Sequence, residues 1–372
     1  MHHSPALGGW MLLRFEDTQT ALADPRLSNA RIQSYAAYLR QRGEDPGPIA
    51  TALERWMVFN DQPRQMQLRL MVAKTFGSRS LARLEASIEA IIEQLLDAIE
   101  PDGQADIIAR FAIPLPTLVV ARLLGIPEVD APRLKAWSDE IALFVGTSLD
   151  VADRRDRAER AVLAMRTYLQ EQAADRHIDT DGTLLGTILR AELDGKPVTH
   201  VEAADIALSI AFAGHETATH LLGNGLRHLL RHPDAWQRLG QGSLDPADVV
   251  EECLRYEGPV NAVARVVREP HERFGQRFEP GDRLFLMLGA ANRDHRRFDD
   301  PDTFRPDRRD HRHLAFGHGT HFCLGALLAR MEARLALAAL ARRFPRLALQ
   351  PFEPVWLDSV VLRGMQALPV SF

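Results

Sequence analysis

Two cysteines occur in the 372 residues, Cys253 and Cys323, and the second has the surroundings of a reactive group. It stands in Phe316-Gly317-His318-Gly319-Thr320-His321-Phe322-Cys323-Leu324-Gly325, just before an amphipathic run from Ala326 to Phe344. Free backbone N–H groups at a helix start, and the positive end of its dipole, favour a thiolate there. Gly317, Gly319 and Gly325 remove side chains that would block a flat ligand or a tight turn, and Phe316 offers an apolar shield beside the sulfur. The plainer alternative is a buried cysteine in a glycine-rich turn, since free cysteines are commonly buried.

Three other constellations can do chemistry. Glu252 and Arg255, three apart in Glu252-Cys253-Leu254-Arg255, share one helix face and can pair. In Ala213-Gly214-His215-Glu216-Thr217, the Thr217 hydroxyl can return to the Ala213 carbonyl one turn back, which bends a helix. Taken alone, Ala213-Gly214 is a packing notch, Glu216 a surface acid and Thr217 a mid-helix hydroxyl. His311, His313, His318, His321 and Cys323 offer imidazole and thiolate, zinc's usual ligands, at a spacing that fits no compact finger.

The elements that must position these groups are mainly helical, because Ala, Leu, Arg and Glu are abundant while aromatic and β-branched residues are sparse. From Leu81, the apolar residues Leu84, Ile88, Ile91, Leu95 and Ile99 recur at three- and four-residue spacing. A run from Asp106 to Leu124 is interrupted by Pro114 and Pro116. Helices are expected at about 131–145 and 152–175, the latter charged enough to read as a solvated lid. The longest helix opens at Thr199 with a capping box through Glu202 and meets no stop until Pro233. Its apolar stretch Ile206 to Gly214 places it through the middle of the molecule. Short strands are expected at Trp10–Phe15, Val263–Val267, Leu284–Leu288 and Val360–Leu362. The expected fold is mainly α with small β-sheets, a single large domain over 1–372 with a long central helix.

Composition narrows the partners. Hydrophobic residues at 46% and charged residues at 26% exclude disordered and fibrous classes. A net charge of −5 argues against a protein that works by neutralising nucleic-acid phosphates. No run of about eighteen apolar residues predicts a membrane span. The start lacks a secretory pattern and the cysteines lie far apart, so a reducing, cytoplasmic setting is expected.

The cysteine segment resembles the haem-binding signature of the cytochrome P450 family, Phe-x-x-Gly-x-x-x-Cys-x-Gly, at every fixed position. The resemblance implies Cys323 as the thiolate ligand of iron in haem b (iron protoporphyrin IX), with Phe316, Gly317 and Gly325 shaping the cofactor loop. Glu252-x-x-Arg255 matches the family's Glu-x-x-Arg, and Arg308, in Phe304-Arg305-Pro306-Asp307-Arg308, takes the place of the arginine that closes that buried network. Ala213 to Thr217 is similar to the oxygen-activation motif. Ala213 and Gly214 would open a groove for dioxygen, and Glu216 with Thr217 would relay protons. With the cysteine motif downstream, this reading displaces the packing-notch one.

The same resemblance assigns the haem propionates to His321, Arg265 and Arg69. Gln65 stands where the family more often has a histidine, so it is expected to donate one uncharged hydrogen bond and to loosen haem retention slightly. The likeness begins near Gly8, which implies that the family's first helix and strand are missing. It implies a soluble bacterial monooxygenase acting with O2 on a small, largely apolar organic substrate, for which a natural-product intermediate is the expectation. Phe59, Leu208, Phe212, Val260, Asn261 and Ala262 are the implied substrate contacts. No fused flavin or iron–sulfur motif is seen, so electrons are expected from a ferredoxin or flavodoxin with its NAD(P)H reductase. Arg330 and Arg334 are candidates to meet that partner, or else a solvated helix face. Two alternatives remain: a haem-thiolate enzyme that couples or closes rings without net oxygen insertion, and a non-catalytic haem- or zinc-binding protein.

Overall fold

The computed structural model describes residues 1–145, 153–174, 183–273 and 275–372. The capping box expected at Thr199 is formed. The Thr199 hydroxyl accepts from the Glu202 N–H and the Glu202 carboxylate accepts from the Thr199 N–H, opening a helix of 31 residues, His200–Leu230. At 1.5 Å per residue it is about 45 Å long. Its body is buried among the helices Pro114–Leu124, Arg154–Ala174, Pro246–Glu257 and Ala326–Arg343.

The other long helices follow their apolar periodicity. Ser78–Ile99 buries Leu81, Ile88, Ile91, Ile92, Leu96 and Ile99 along one stripe. Where Pro114 removes an N–H, the run breaks into a π-type turn, Ile108–Ala112, closed by the Ile113 N–H on the Ile108 carbonyl at 2.9 Å. Helices Ala131–Val145 and Arg154–Ala174 match the two expected segments, and positions 152 and 175 of the second lie outside the described residues. Despite its charge, Arg154–Ala174 buries Ala158, Val162, Met165 and Leu169.

The main sheet has the strand order His2–Ser4, Gly9–Leu12, Arg283–Leu286, Val263–Val267, Leu27–Ser28. It is antiparallel except where Gly9–Leu12 meets Arg283–Leu286, and its register sets Arg265 beside Leu284 and Leu284 beside Trp10. A three-stranded sheet ties Pro369–Ser371 to Gln104–Asp106 and Ala348–Leu349. The strand expected at Val360–Leu362 is not one: the segment makes a single bridge, Leu362 to Val260. Its backbone goes instead to loop partners, with the Val361 carbonyl accepting from Asn261 at 2.7 Å. A large helical core and a smaller core under the main sheet complete the fold.

Replacing Thr199 by Ala removes the cap of the central helix. The expected loss is about 1 kcal/mol, read as a lower urea midpoint with an unchanged denaturant slope.

Candidate active site

The cysteine loop is held by its own backbone. The Cys323 N–H donates to the Phe316 carbonyl at 2.9 Å, and Gly317 and Gly319 sit at φ +74, in the left-handed region that favours glycine. Gly325 leads into helix Ala326–Arg343. The loop is also braced from helix Arg64–Ala73, where Arg69 donates to the Phe322 carbonyl at 2.8 Å and Gln65 to the Thr320 carbonyl at 2.9 Å. Gln65 is fully buried and also accepts from Gln62, so its described hydrogen bonds all go to protein. It serves as a brace for the loop.

Arg330 is likewise committed. It pairs with Glu251 through two bonds of 2.6 and 2.9 Å and lies over the Phe316 ring at 4.5 Å, while Arg334 bonds Glu85 at 2.6 Å. Both arginines are paired with the protein's own acids while their side chains stay 33% and 40% exposed on the helix face. Among the described residues no group of three His, Cys, Asp or Glu is placed to hold a metal. His311 faces Asp248 at 3.3 Å and His313 faces Glu251 at 3.4 Å, so the zinc reading fails.

The helix end does not by itself yield a thiolate. Burial pushes the Cys323 thiol up, and the Gly325 N–H with the charges of Arg69 and Arg330 offset this only in part. The sulfur nevertheless faces accessible space, as does the neighbouring Phe322 ring at 40% exposure, and a Cβ at Gly325 would meet no atom within 4 Å. A second open patch lies on the central helix, where Ala213 is exposed and Gly214 and Thr217 half-buried between the buried Ala211 and Ala218. The third feature is surplus positive charge. Burial and Arg265 push the His321 imidazole down to about 4, and burial and Arg31 push Arg265 down to about 10. Asp61 is the one acid that opposes both shifts, and it is already bonded to Ser28 and the Asn29 N–H. A ligandable sulfur, room for a flat ring and unmatched cations suit a haem with its two propionates.

Glu216 is a buried acid with a prepared environment. Lys135 Nζ is 3.0 Å away, His215 Nε2 3.2 Å and His220 Nε2 3.6 Å. Burial alone would raise its pKa, but the close imidazoles of His215 and His220, with the charges of His215 and Lys135, hold it well below the usual carboxylate range. Lys135 also pairs with Asp139, which burial, opposed by Lys135 but aided by Glu216, pushes up to about 6. Side-chain exposure rises from 7% at Glu216 through 14% at Lys135 to 51% at Asp139, so this chain of polar groups leads toward solvent. The Thr217 hydroxyl donates to the Ala213 carbonyl at 3.1 Å, as its spacing implies. Gly214 is the packing notch of the pair, for a Cβ there would stand 2.7 Å from Val120 Cγ2, and Ala213 alone of the two is exposed. Lys135, Asp139, His215 and His220 escaped the sequence reading: the first two lie on a remote helix, and helical spacing alone did not single out the histidines.

Of the implied substrate contacts, Phe59 and Phe212 meet through Trp56, whose ring lies 6.0 Å from the first and 5.2 Å from the second. Val260 and Asn261 are half-buried on the turn that receives Val361 and Leu362. Leu208 and Ala262 have no exposed surface and belong to the packed core, a correction to their assignment. Beside Trp56, Arg55 reaches Asp205 of the central helix at 2.5 Å, and Arg166 reaches the same carboxylate at 2.7 Å. Asp205 is fully buried.

Behind the loop, Glu252 accepts from Arg255 at 2.7 and 2.8 Å, from Arg308 at 3.1 Å and from the Arg305 N–H at 2.7 Å. The two guanidiniums spend their other donors on the carbonyls of Asn292, Asp299, Asp300, Pro301 and Thr303. Asn292 Oδ1 in turn accepts from the Leu314 N–H at 2.7 Å, two residues before Phe316.

A mainly helical fold with a cysteine loop at the head of a long helix, backed by a buried Glu-Arg-Arg network, defines the haem-thiolate class of oxidising enzymes. The family model for cytochrome P450 matches residues 247–358. The cytochrome P450 monooxygenase PikC of Streptomyces venezuelae is 37% identical over 98% of this chain and 85% of its own length. The polyketide biosynthesis cytochrome P450 PksS of Bacillus subtilis is 35% identical over 97% of this chain and 88% of its own. The structure of P450BioI with an acyl carrier protein superposes with a TM-score of 0.90 at 30% identity, covering 98% of this chain and 92% of that one. The chain belongs to the cytochrome P450 family, and its relatives make it a monooxygenase with a haem cofactor.

Two outcomes follow from the charges. Glu252→Ala leaves two guanidiniums without their buried partner and costs about 3–5 kcal/mol, seen as a lower unfolding midpoint of the holoenzyme. Burial would raise the Glu251 carboxyl, but the nearby His313 imidazole and two hydrogen bonds from Arg330 hold it down to about 2. A depressed acid stabilises the fold fully above its unfolded value, and that share is lost as pH falls toward the folded one. Glu251→Gln therefore flattens the acid limb of a stability–pH curve between pH about 5 and 2.

Proposed function

We propose that the chain is a haem b monooxygenase in which Cys323 ligates the iron, acting on a small, largely apolar organic molecule. The observation that carries this reading is the cysteine loop: an accessible sulfur beside an open glycine, braced by Arg69, Gln65 and the Glu252 network. When bound, the haem supplies the activation of dioxygen, with the thiolate favouring O–O cleavage. The residues of the chain supply position and protons. Arg265 and Arg69 neutralise the propionates, and the neutral imidazole of His321 donates a hydrogen bond to one of them. Ala213 gives the oxygen side its open surface, and Thr217, anchored on the Ala213 carbonyl, presents its hydroxyl there. Glu216 exchanges protons with that hydroxyl and is resupplied along Lys135 and Asp139. Phe212, half-buried beside the exposed Ala213 and backed by the buried rings of Trp56 and Phe59, gives the substrate an apolar face. The name of PksS points to polyketide chemistry, and the acyl chain carried in the P450BioI complex points to long apolar ligands. Electrons are delivered by a ferredoxin or flavodoxin with its NAD(P)H reductase.

The reduced carbon monoxide complex is expected to show the strongly red-shifted Soret band of a thiolate-ligated haem, and Cys323→Ser to lose it; an imidazole-type band in intact wild-type protein contradicts the assignment. In turnover, Glu216→Gln should slow product formation by about a hundredfold. Thr217→Ala should divert electrons to hydrogen peroxide, measured as peroxide formed per NAD(P)H consumed.

A further inference from the structure

His215 sits on the central helix with 1% of its surface exposed. Its Nδ1 lies 2.7 Å from the Ala211 carbonyl, one turn back. A carbonyl can only accept, so Nδ1 carries a hydrogen, and this bond fixes which ring nitrogen is left over. That nitrogen is Nε2, 3.2 Å from Glu216 Oε1, and among the described residues neither atom has an aligned hydrogen-bond partner. With Nε2 bare and the carboxyl ionised, two lone pairs would face each other in a buried place, an arrangement that costs free energy. One proton between them turns the contact into an attraction, and the soft carboxyl torsion of Glu216 lets the two atoms align.

The other neighbours of Glu216 differ. His220 Nε2 is 3.6 Å from Oε2, and neither of its ring nitrogens has a partner among the described residues, so no bond selects its tautomer. Lys135 Nζ, 3.0 Å from Oε1, is the link toward Asp139. A carboxylate held well below its usual range has no proton of its own to hand on at neutral pH, so what it passes must first come from a neighbour.

We propose that Glu216 and His215 hold one proton between Oε1 and Nε2, and that His215 is a positioning residue that stores the proton Glu216 passes to Thr217. The inference rests on the reading of Glu216 as the relay acid. In the step itself the Nε2–H bond breaks as the Glu216 O–H bond forms, and the imidazolium becomes a neutral ring that keeps its Nδ1–H on the Ala211 carbonyl. Glu216 then gives the proton to the Thr217 side and recovers another through Lys135, which restores His215. No electrons move within the pair.

The experiment compares wild-type holoenzyme with His215→Asn, His215→Gln and Glu216→Gln. The Asn amide keeps a donor for the Ala211 carbonyl while lacking Nε2, and the Gln amide reaches toward Glu216 without storing a proton. Infrared spectra over an acid titration identify the Glu216 carboxyl C=O band as the one that Glu216→Gln removes. Lys135 and Asp139 of helix Ala131–Val145 and His220 of the central helix also face this carboxyl, and all three are unchanged in the His215 variants. The band should therefore appear at a pH about one unit higher in both His215 variants than in wild type. NAD(P)H oxidation is followed in water and in heavy water, with dodecanoic acid as the probe and a ferredoxin with its reductase as the electron source. A rate about tenfold lower, with a larger solvent isotope effect and an unchanged Soret titration by dodecanoic acid, supports the inference. Both His215 variants matching wild type in the carboxyl titration and in the isotope effect would overturn it. If Glu216→Gln itself matches wild type in rate, the relay reading of Glu216 fails and the inference with it; slowing in Glu216→Gln alone leaves that reading standing and refutes the role of His215.

Discussion

The carboxylate of Glu252 has no exposed surface, and two guanidiniums and a backbone N–H converge on it. A buried charge of this kind is tolerable only when every partner is in place, so the cluster behaves as a unit. Its reach is what matters to the rest of the molecule. Through Arg255 and Arg308 it organises five carbonyls of an irregular stretch, and Asn292 passes that order to the segment entering the cysteine loop. A loop with little regular structure thus inherits the rigidity of the helix core. The position of the sulfur relative to helix Ala326–Arg343 depends on it.

On the cofactor side the balance is reversed. The chain is net acidic, with 50 acids against 45 bases, yet His321, Arg265, Arg69 and Arg31 gather with Asp61 as the acid acting on His321 and Arg265. One end of the site is overcompensated in protein bonds and the other undercompensated. The first gives shape without a ligand, and the second gives a ligand something to complete.

What the sequence disclosed was what lies contiguous in it. The cysteine motif, Glu252-x-x-Arg255, the Thr217–Ala213 hydrogen bond and the Thr199 cap all depend on neighbours within ten residues, and their geometry is as the spacing implies. Arg308 was reachable because its own local motif marks it. Lys135 was not, because it owes its environment to a helix about eighty residues distant and looks like any surface cation in one dimension. Leu208 and Ala262 show the converse. Their places in the chain suit a binding wall, but side-chain direction, which spacing cannot give at a bend or turn, sends them into the core. At Val360–Leu362, β-branched residues suggested a strand, and loop carbonyls and a single bridge to Val260 took the backbone instead.

The carboxylate of Asp205 joins three parts of the chain: the central helix that carries it, the loop of Trp56 through Arg55, and helix Arg154–Ala174 through Arg166. Withdrawing either arginine leaves a fully buried anion leaning wholly on the other, and withdrawing both leaves it bare. Each arginine is therefore held harder once its partner has left, and the last contact is the costliest to break. The carboxylate works as a shared rivet: either the loop or helix Arg154–Ala174 can shift while the other stays, but the three parts do not separate together.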